Sequence, residues 1–207
     1  MIIDYGMGNL SSVANMIHRL GGQAMRASEP CSIAEAEKII LPGVGAFDHG
    51  MQAFRQDGWI DALNDAVLRR RVPVLGICLG MQLMCNSSEE GNVAGLGWID
   101  AEVRRFKRPA EQVIKVPHMG WNTVKVINRN PLISGEDGEQ RFYFVHSYHA
   151  VCNRSEDVLA IAHHGYDFAA AFSHENIFGV QFHPEKSHRF GMALMKRFME
   201  LECSSIA

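Results

Sequence analysis

The chain has 207 residues, 47% hydrophobic and 21% charged, a balance that excludes a disordered or collagen-like polypeptide and fits about one large domain. The formal net charge of −3 gives no general electrostatic case for nucleic acid or an anionic membrane. No apolar run is long enough to span a bilayer and no basic-then-apolar signal segment is read at the start, while five cysteines without tight pairing (31, 78, 85, 152 and 203) point to free thiols in a reducing, cytoplasmic compartment.

The chain opens with a very short apolar run, Met1-Ile2-Ile3, that leads through Asp4-Tyr5 into the turn Gly6-Met7-Gly8-Asn9. With only three residues before Asp4, the first strand is expected to be under-packed, which points to a trimmed start or one lying further upstream. Leu10, Val13, Met16, Ile17 and Leu20 then share one helical face that stops at Gly21-Gly22. Ser32 and Glu35 have the spacing of a capping box for a short helix. Lys38-Ile39-Ile40-Leu41 reads as a buried strand broken by Pro42-Gly43-Val44-Gly45. A helical region with Ile60, Leu63, Ala66, Val67 and Leu68 precedes a second buried strand, Val72–Ile77. Short, nearly all-apolar strands alternating with amphipathic helices predict a parallel sheet covered on both faces. The second half changes character. Segments around Val103, Val124, Phe142–Val145, Val158–Ile161, Phe168–Phe172 and Ile177–Phe182 read as strands separated by turns, before a last helix from about His188 to Cys203. The expectation is one α/β domain over residues 1–207, with three layers, a mostly parallel sheet and an additional antiparallel or mixed portion. In such sheets ligands sit beyond the carboxyl ends of the parallel strands.

One of those ends is Gly76-Ile77-Cys78-Leu79-Gly80, a nucleophile flanked by glycines two positions either side, at the end of a buried strand and before a helix. A sharp strand-to-helix turn forces the central residue into a strained backbone, and the glycines avoid collisions. The turn lifts the sulfur above the sheet, at the positive end of the helix, and leaves backbone N–H groups free for an oxyanion. A thiol nucleophile needs a base. In Gln181-Phe182-His183-Pro184-Glu185 the proline keeps His183 extended, so His183 and Glu185 point to the same side and the carboxylate orients the imidazole. Oxyanion donors are expected from Leu79 and from the loop Gly43, Val44 and Gly45, whose glycines permit unusual dihedrals and a peptide able to flip.

Cys78-Leu79-Gly80-Met81-Gln82 after Gly76, together with Phe182-His183-Pro184-Glu185, resembles the class I (triad) glutamine amidotransferase family, over essentially the whole chain. Asp4–Asn9, Pro117-His118-Met119-Gly120-Trp121-Asn122 and Tyr143-Phe144-Val145-His146-Ser147-Tyr148 resemble, within it, the subfamily of glutaminase subunits that serve histidine biosynthesis. The resemblance implies a flavodoxin-like fold, hydrolysis of glutamine by Cys78, His183 and Glu185, and glutamine held by Gln82, Glu90, His146, Ser147 and Tyr148. It also implies no metal or cofactor, and a (β/α)8-barrel cyclase subunit that receives the ammonia in a heterodimer. Asn9, Met119, Trp121 and Lys186 are the interface candidates, with a core position the alternative for Trp121. The basic run Arg104-Arg105-Phe106-Lys107-Arg108-Pro109 reads as a solvated loop, with a contact to the partner or its anionic substrate as the alternative. The competing readings are a glutaminase subunit of another synthase, a stand-alone cysteine hydrolase and a regulatory scaffold. Pro117–Asn122 argues against the first, the chain order Cys, His, Glu against a generic hydrolase, and the intact Cys78, His183 and Glu185 set against the last.

Overall fold

A computed structural model describes residues 1–56, 58–107, 114–133 and 138–201. Arg108, Pro109 and Cys203 therefore lie outside the described residues. The first half runs β1 (Ile2–Ile3), α1 (Leu10–Arg19), β2 (Arg26–Ala27), β3 (Ile39–Gly43), α2 (Phe47–Gln56), α3 (Trp59–Asn64), β4 (Val74–Cys78) and α4 (Leu79–Leu83). Then come β5 (Ser87–Ser88), β6 (Ala101–Arg105), β7 (His118–Val126), β8 (Gln140–His146), β9 (Tyr148–Cys152), β10 (Val158–His163), β11 (Asp167–His174), β12 (Ile177–Val180) and α5 (His188–Glu200).

Nine of the strands make one sheet in the order β2-β1-β3-β4-β12-β11-β10-β7-β8. From β2 to β12 all neighbours are parallel, and from β12 to β8 all are antiparallel. The antiparallel portion thus continues the parallel sheet, while β5, β6 and β9 form a separate three-stranded sheet. Alternation along the strands sends side chains to two cores. Ile2, Ile40, Leu75 and Ile77 join Val13, Met16 and Ile17 of α1 and Leu194, Met195 and Phe198 of α5. Ile3, Ile39, Leu41 and Val74 join Phe47, Met51 and Phe54 of α2 and Trp59 and Leu63 of α3. The result is the expected three-layer α/β architecture.

Three expectations are corrected. Strand β1 is short but not under-packed: Ile2 and Ile3 are fully buried between β2 and β3, each contributing about 1.5–3 kcal/mol of burial. Ser32 and Glu35 form no capping box, because a 3-10 turn starts at Pro30, two residues earlier, without a side-chain cap. The basic run is not a loop at its start: Arg104 and Arg105 belong to β6, Arg104 pairs with Glu102 at 2.9 Å, and Phe106 is buried. Among the described residues no helix is long and apolar enough to cross a membrane.

Candidate active site

Strand β4 is fully buried and carries the chain from the sheet centre into α4. At the junction Cys78 holds φ 55° and ψ −108°, the strained conformation that a sharp turn demands of a non-glycine residue. The flanking glycines are there for space. A methyl at Gly76 would lie 2.7 Å from the Met81 nitrogen, and one at Gly80 would lie 1.8 Å from the Leu41 carbonyl oxygen. The helix start can therefore press against β3 only without a side chain at position 80.

His183 follows β12, the parallel neighbour of β4, so the two residues meet at the carboxyl ends of adjacent strands. Its backbone is fixed to β8: the N–H of His183 donates to the Tyr143 carbonyl at 2.9 Å, and Ser187 Oγ donates to the His183 carbonyl at 2.6 Å. Glu185 Oε1 stands 2.8 Å from His183 Nδ1, both side chains being buried. Nδ1 thus carries a proton and Nε2 is left without a hydrogen-bond partner among the described residues. Burial alone would lower the imidazole pKa, but Cys78 and then Glu185 act against it and raise it to about 9. The thiol is near enough to act on the ring's charge without a formed hydrogen bond.

A cavity of about 340 Å3 opens beside the sulfur, room for a metabolite-sized molecule. It is lined by Val44, Gly45, Cys78, Leu79, Gln82, Glu90, His146, Ser147, Tyr148 and His183 among others. Sequence reasoning placed all of these at a site, and the fold brings them together. Gly43 and Glu185 stand behind the lining. Gly43 pairs with Cys78 across β3 and β4, and Glu185 backs His183. Val44 is 47% exposed and Gly45 has φ +119°, so the loop after β3 lies open at the cavity mouth in a conformation that favours glycine. Glu90 does more than line the cavity, since its Oε2 accepts the Phe47 N–H at 2.9 Å and so caps α2 directly after that loop.

Gln82 and His146 are likewise engaged. Gln82 Nε2 donates to the Tyr148 carbonyl at 3.1 Å and to Gln181 Oε1 at 3.0 Å. His146 has both ring nitrogens in contact with protein atoms, Nδ1 with the Tyr148 carbonyl at 2.7 Å and Nε2 with His118 Nδ1 at 3.0 Å. Two residues at the site went unassigned by sequence. Gln181 is fully buried with Nε2 3.7 Å from Cys78 Sγ, and its signal was its place two residues before His183 on the same strand face. The buried Tyr5 hydroxyl has no partner among the described residues and would meet a methyl at Gly43 at 2.5 Å. No sequence pattern flags it.

Met119 and Trp121 are 63% and 41% exposed, which removes the core alternative for Trp121. Trp121 stacks on His188 with centroids 5.5 Å apart and meets Tyr143 edge-on, while Lys186 Nζ lies 5.7 Å over the same Tyr143 ring. Asn9 is exposed and caps α1, its Oδ1 accepting the Ser12 N–H at 3.3 Å. Cys31, Cys78, Cys85 and Cys152 are free thiols. Among the described residues no group of three or more His, Cys, Asp or Glu side chains is placed to hold a metal ion. The arrangement as a whole can do one thing well: add a thiol to a small carbonyl compound, with a positioned base and backbone N–H groups beside it.

Comparison with known proteins gives the same direction. The sequence model of the class-I glutamine amidotransferases matches residues 1–201. A protein of Pseudomonas aeruginosa named imidazole glycerol phosphate synthase subunit HisH 2 is 50% identical over 201 residues, 97% of this chain and 98% of its own length. A protein of the same name from Methanococcus maripaludis is 49% identical over 199 residues, 96% of this chain and 98% of its own length. Among solved structures, PurLQS from Thermotoga maritima superposes with a TM-score of 0.72 at 16% identity, covering 96% of this chain and 95% of its own. A glutamine amidotransferase from Thermotoga maritima reaches 0.63 at 19% identity, over 99% of this chain and 86% of its own. At such identities the structures speak for the fold alone.

Proposed function

The chain belongs to the class-I glutamine amidotransferase family, and from that premise we propose that it is the glutaminase subunit of an imidazole glycerol phosphate synthase. The observation that carries the reading is the single cavity where Cys78, His183 and the glycine loop converge. Cys78 gives its thiol proton to His183 Nε2 as Sγ adds to the side-chain amide carbon of glutamine, and the oxygen's developing charge is held by the N–H of Leu79 and by the Gly43–Gly45 loop. His183 protonates the amide nitrogen, the C–N bond breaks, and ammonia leaves behind a glutamyl thioester. His183 then takes a proton from water as its oxygen attacks that carbonyl, releasing glutamate and returning the thiol. Glu185 holds the imidazole tautomer throughout. Glu90 receives the substrate ammonium, with Gln82, His146, Ser147 and Tyr148 forming the rest of the pocket.

The ammonia passes to a (β/α)8-barrel cyclase subunit in a heterodimer, which forms imidazole glycerol phosphate for histidine biosynthesis and an aminoimidazole carboxamide ribotide that returns to purine synthesis. The exposed residues Met119, Trp121 and Lys186, together with the exposed Asn9, are the docking candidates in this reading, an aromatic and methionine set of the kind enriched at interfaces. Residues 1–207 act as one amidotransferase domain, without a cofactor, in the cytoplasm.

The test is glutamate release from glutamine by the chain alone, with the cyclase subunit, and with the cyclase subunit plus its nucleotide substrate. Strong stimulation in the last mixture is expected, and full activity alone would assign the chain to a stand-alone hydrolase. In the complex, Cys78→Ala should lower glutamine-dependent synthesis by about four orders of magnitude and leave ammonia-dependent synthesis intact. Loss of both would count against the role given to Cys78.

A further inference from the structure

Four side chains, His118 on β7, His146 on β8, Gln82 on α4 and Gln181 just after β12, carry one hydrogen-bonded path, and its direction can be derived. The Tyr148 carbonyl can only accept, so His146 Nδ1, at 2.7 Å, carries the proton and His146 Nε2 is the acceptor. His118 Nδ1, at 3.0 Å from that Nε2, must then donate, leaving His118 Nε2 as an acceptor. The far end fixes the same answer independently. Asn122 Nδ2 donates to the His163 carbonyl at 2.8 Å, so it is the amide nitrogen, and its second hydrogen reaches His118 Nε2 at 3.2 Å. Both rings are therefore neutral Nδ1–H tautomers, and a proton added to either would set two donors face to face.

The path does not stop at Tyr148. The same carbonyl accepts from Gln82 Nε2 at 3.1 Å, Gln82 also donates to Gln181 Oε1 at 3.0 Å, and Gln181 Nε2 approaches Cys78 Sγ at 3.7 Å. His118, His146, Gln82 and Gln181 are all buried. We infer that His118 and His146 are positioning residues for glutamine hydrolysis, holding the Ser147–Tyr148 wall of the cavity in register with the Gln82–Gln181 pair at the nucleophile. This rests on the reading of the cavity as the glutamine site. Neither ring needs to touch the reacting atoms. Each works by supplying one donor, in one direction, to the next group.

The experiment uses the complex with the cyclase subunit, supplied with its nucleotide substrate. His118→Phe keeps the ring and removes the donor, and should raise KM for glutamine roughly tenfold, the effect of leaving a buried acceptor unpaired, while kcat moves less. His118→Asn, whose Nδ2 takes the place of the imidazole Nδ1, should recover most of that loss. Ammonia-dependent synthesis reports whether each variant folds and assembles. An unchanged KM in an active His118→Phe complex, or His118→Asn as impaired as His118→Phe, would overturn the inference. A second measurement does not depend on any variant folding. Nitrogen-resolved NMR of the unaltered protein should show His118 and His146 as neutral Nδ1–H tautomers, and an Nε2–H on either ring would overturn the path. If the unaltered complex releases no glutamate, the glutamine reading itself falls and takes the positioning role with it, whatever the tautomers.

Discussion

Cys78 sits at φ 55° because the turn leaves no other way to raise the sulfur above the strand ends, a strain of about 1–3 kcal/mol held by the packing around it. Opposite it, His183 is governed by the Glu185 carboxylate at 2.8 Å and by the sulfur. Its ring is raised to about 9, so charge on it stabilises the fold fully below the ordinary histidine value, and that contribution is lost as pH climbs through about 9. Glu185→Gln removes one of the two groups that raise it and also the acceptor that fixes the tautomer. The His183 titration, followed by imidazole NMR, should fall toward the ordinary value, and glutamine hydrolysis should drop by about 10²- to 10⁴-fold. A midpoint that stays near 9 would mean that Glu185 does not set the charge of the ring. The expected alternation holds only from Gln181 to His183, which is still extended; Pro184–Lys186 forms a 3-10 turn instead, and the Glu185 carboxylate reaches His183 Nδ1 from that turn rather than along an extended segment. Tyr5 and Glu90's cap on Phe47 were not legible in this way, because each depends on where distant loops close.

At the level of elements, the site depends on how closely α4 lies on β3. Gly80 is the contact point, and a methyl there would lie 1.8 Å from the Leu41 carbonyl oxygen, a backbone atom in a fully buried strand with no flexible side chain to move aside. Gly80→Ala should therefore separate α4 from β3 and destabilise by about 3 kcal/mol or more, read as a lower urea midpoint with an unchanged slope. A midpoint within experimental error of the unaltered chain would show that the elbow has slack. Strands β1, β3, β4 and β12 were readable because they are uninterrupted apolar runs, β4 with its glycine-flanked cysteine down to the residue, whereas the parallel edge strand β2, only Arg26 and Ala27, carries no such run and was missed. Strand β9 escaped notice because Tyr148 and His149 look like a polar loop. In the fold His149 is buried, with Nε2 3.0 Å from the Tyr166 hydroxyl and its ring 4.7 Å from Phe106, so a polar residue reads as exposed when its partners are supplied from elsewhere. The start of the basic run misled for the same reason, because Phe106 is buried against four histidine rings and Arg104 and Arg105 are strand residues.

For the whole molecule, histidines of opposite kinds shape the dependence of stability on pH. His118 and His146 are buried on the antiparallel side of the sheet, where burial first, then neighbouring rings, lower them to about 4 and about 3. The groups facing them are His164, stacked on His118 at 4.3 Å, His149, and the uncharged rings of Phe106, Phe144 and Phe168. No carboxylate among these neighbours offsets the cost of a proton. Above the ordinary histidine value both rings are neutral in the folded and unfolded chain alike and pH has no purchase on them. Below it the unfolded chain binds protons that the fold refuses, and stability falls by up to about 1.4 kcal/mol per ring for each pH unit until about 4 to 3 is reached. His183 acts on the other side, losing its stabilising charge between the ordinary value and about 9. Together they place a stability maximum near pH 6.5, with a steep acid limb from His118 and His146, to which His149, also lowered by burial, adds, and a shallower alkaline limb from His183. Urea midpoints at about pH 5, 6.5 and 8.5 test this, and His118→Asn separates the histidine contribution from that of the carboxylates. The variant should flatten the acid limb by roughly the share of one ring while leaving the alkaline limb unchanged. An acid limb as steep in His118→Asn as in the unaltered chain would show that His118 takes up its proton in the fold, and that the neutral path through β7 and β8 is not what the fold protects.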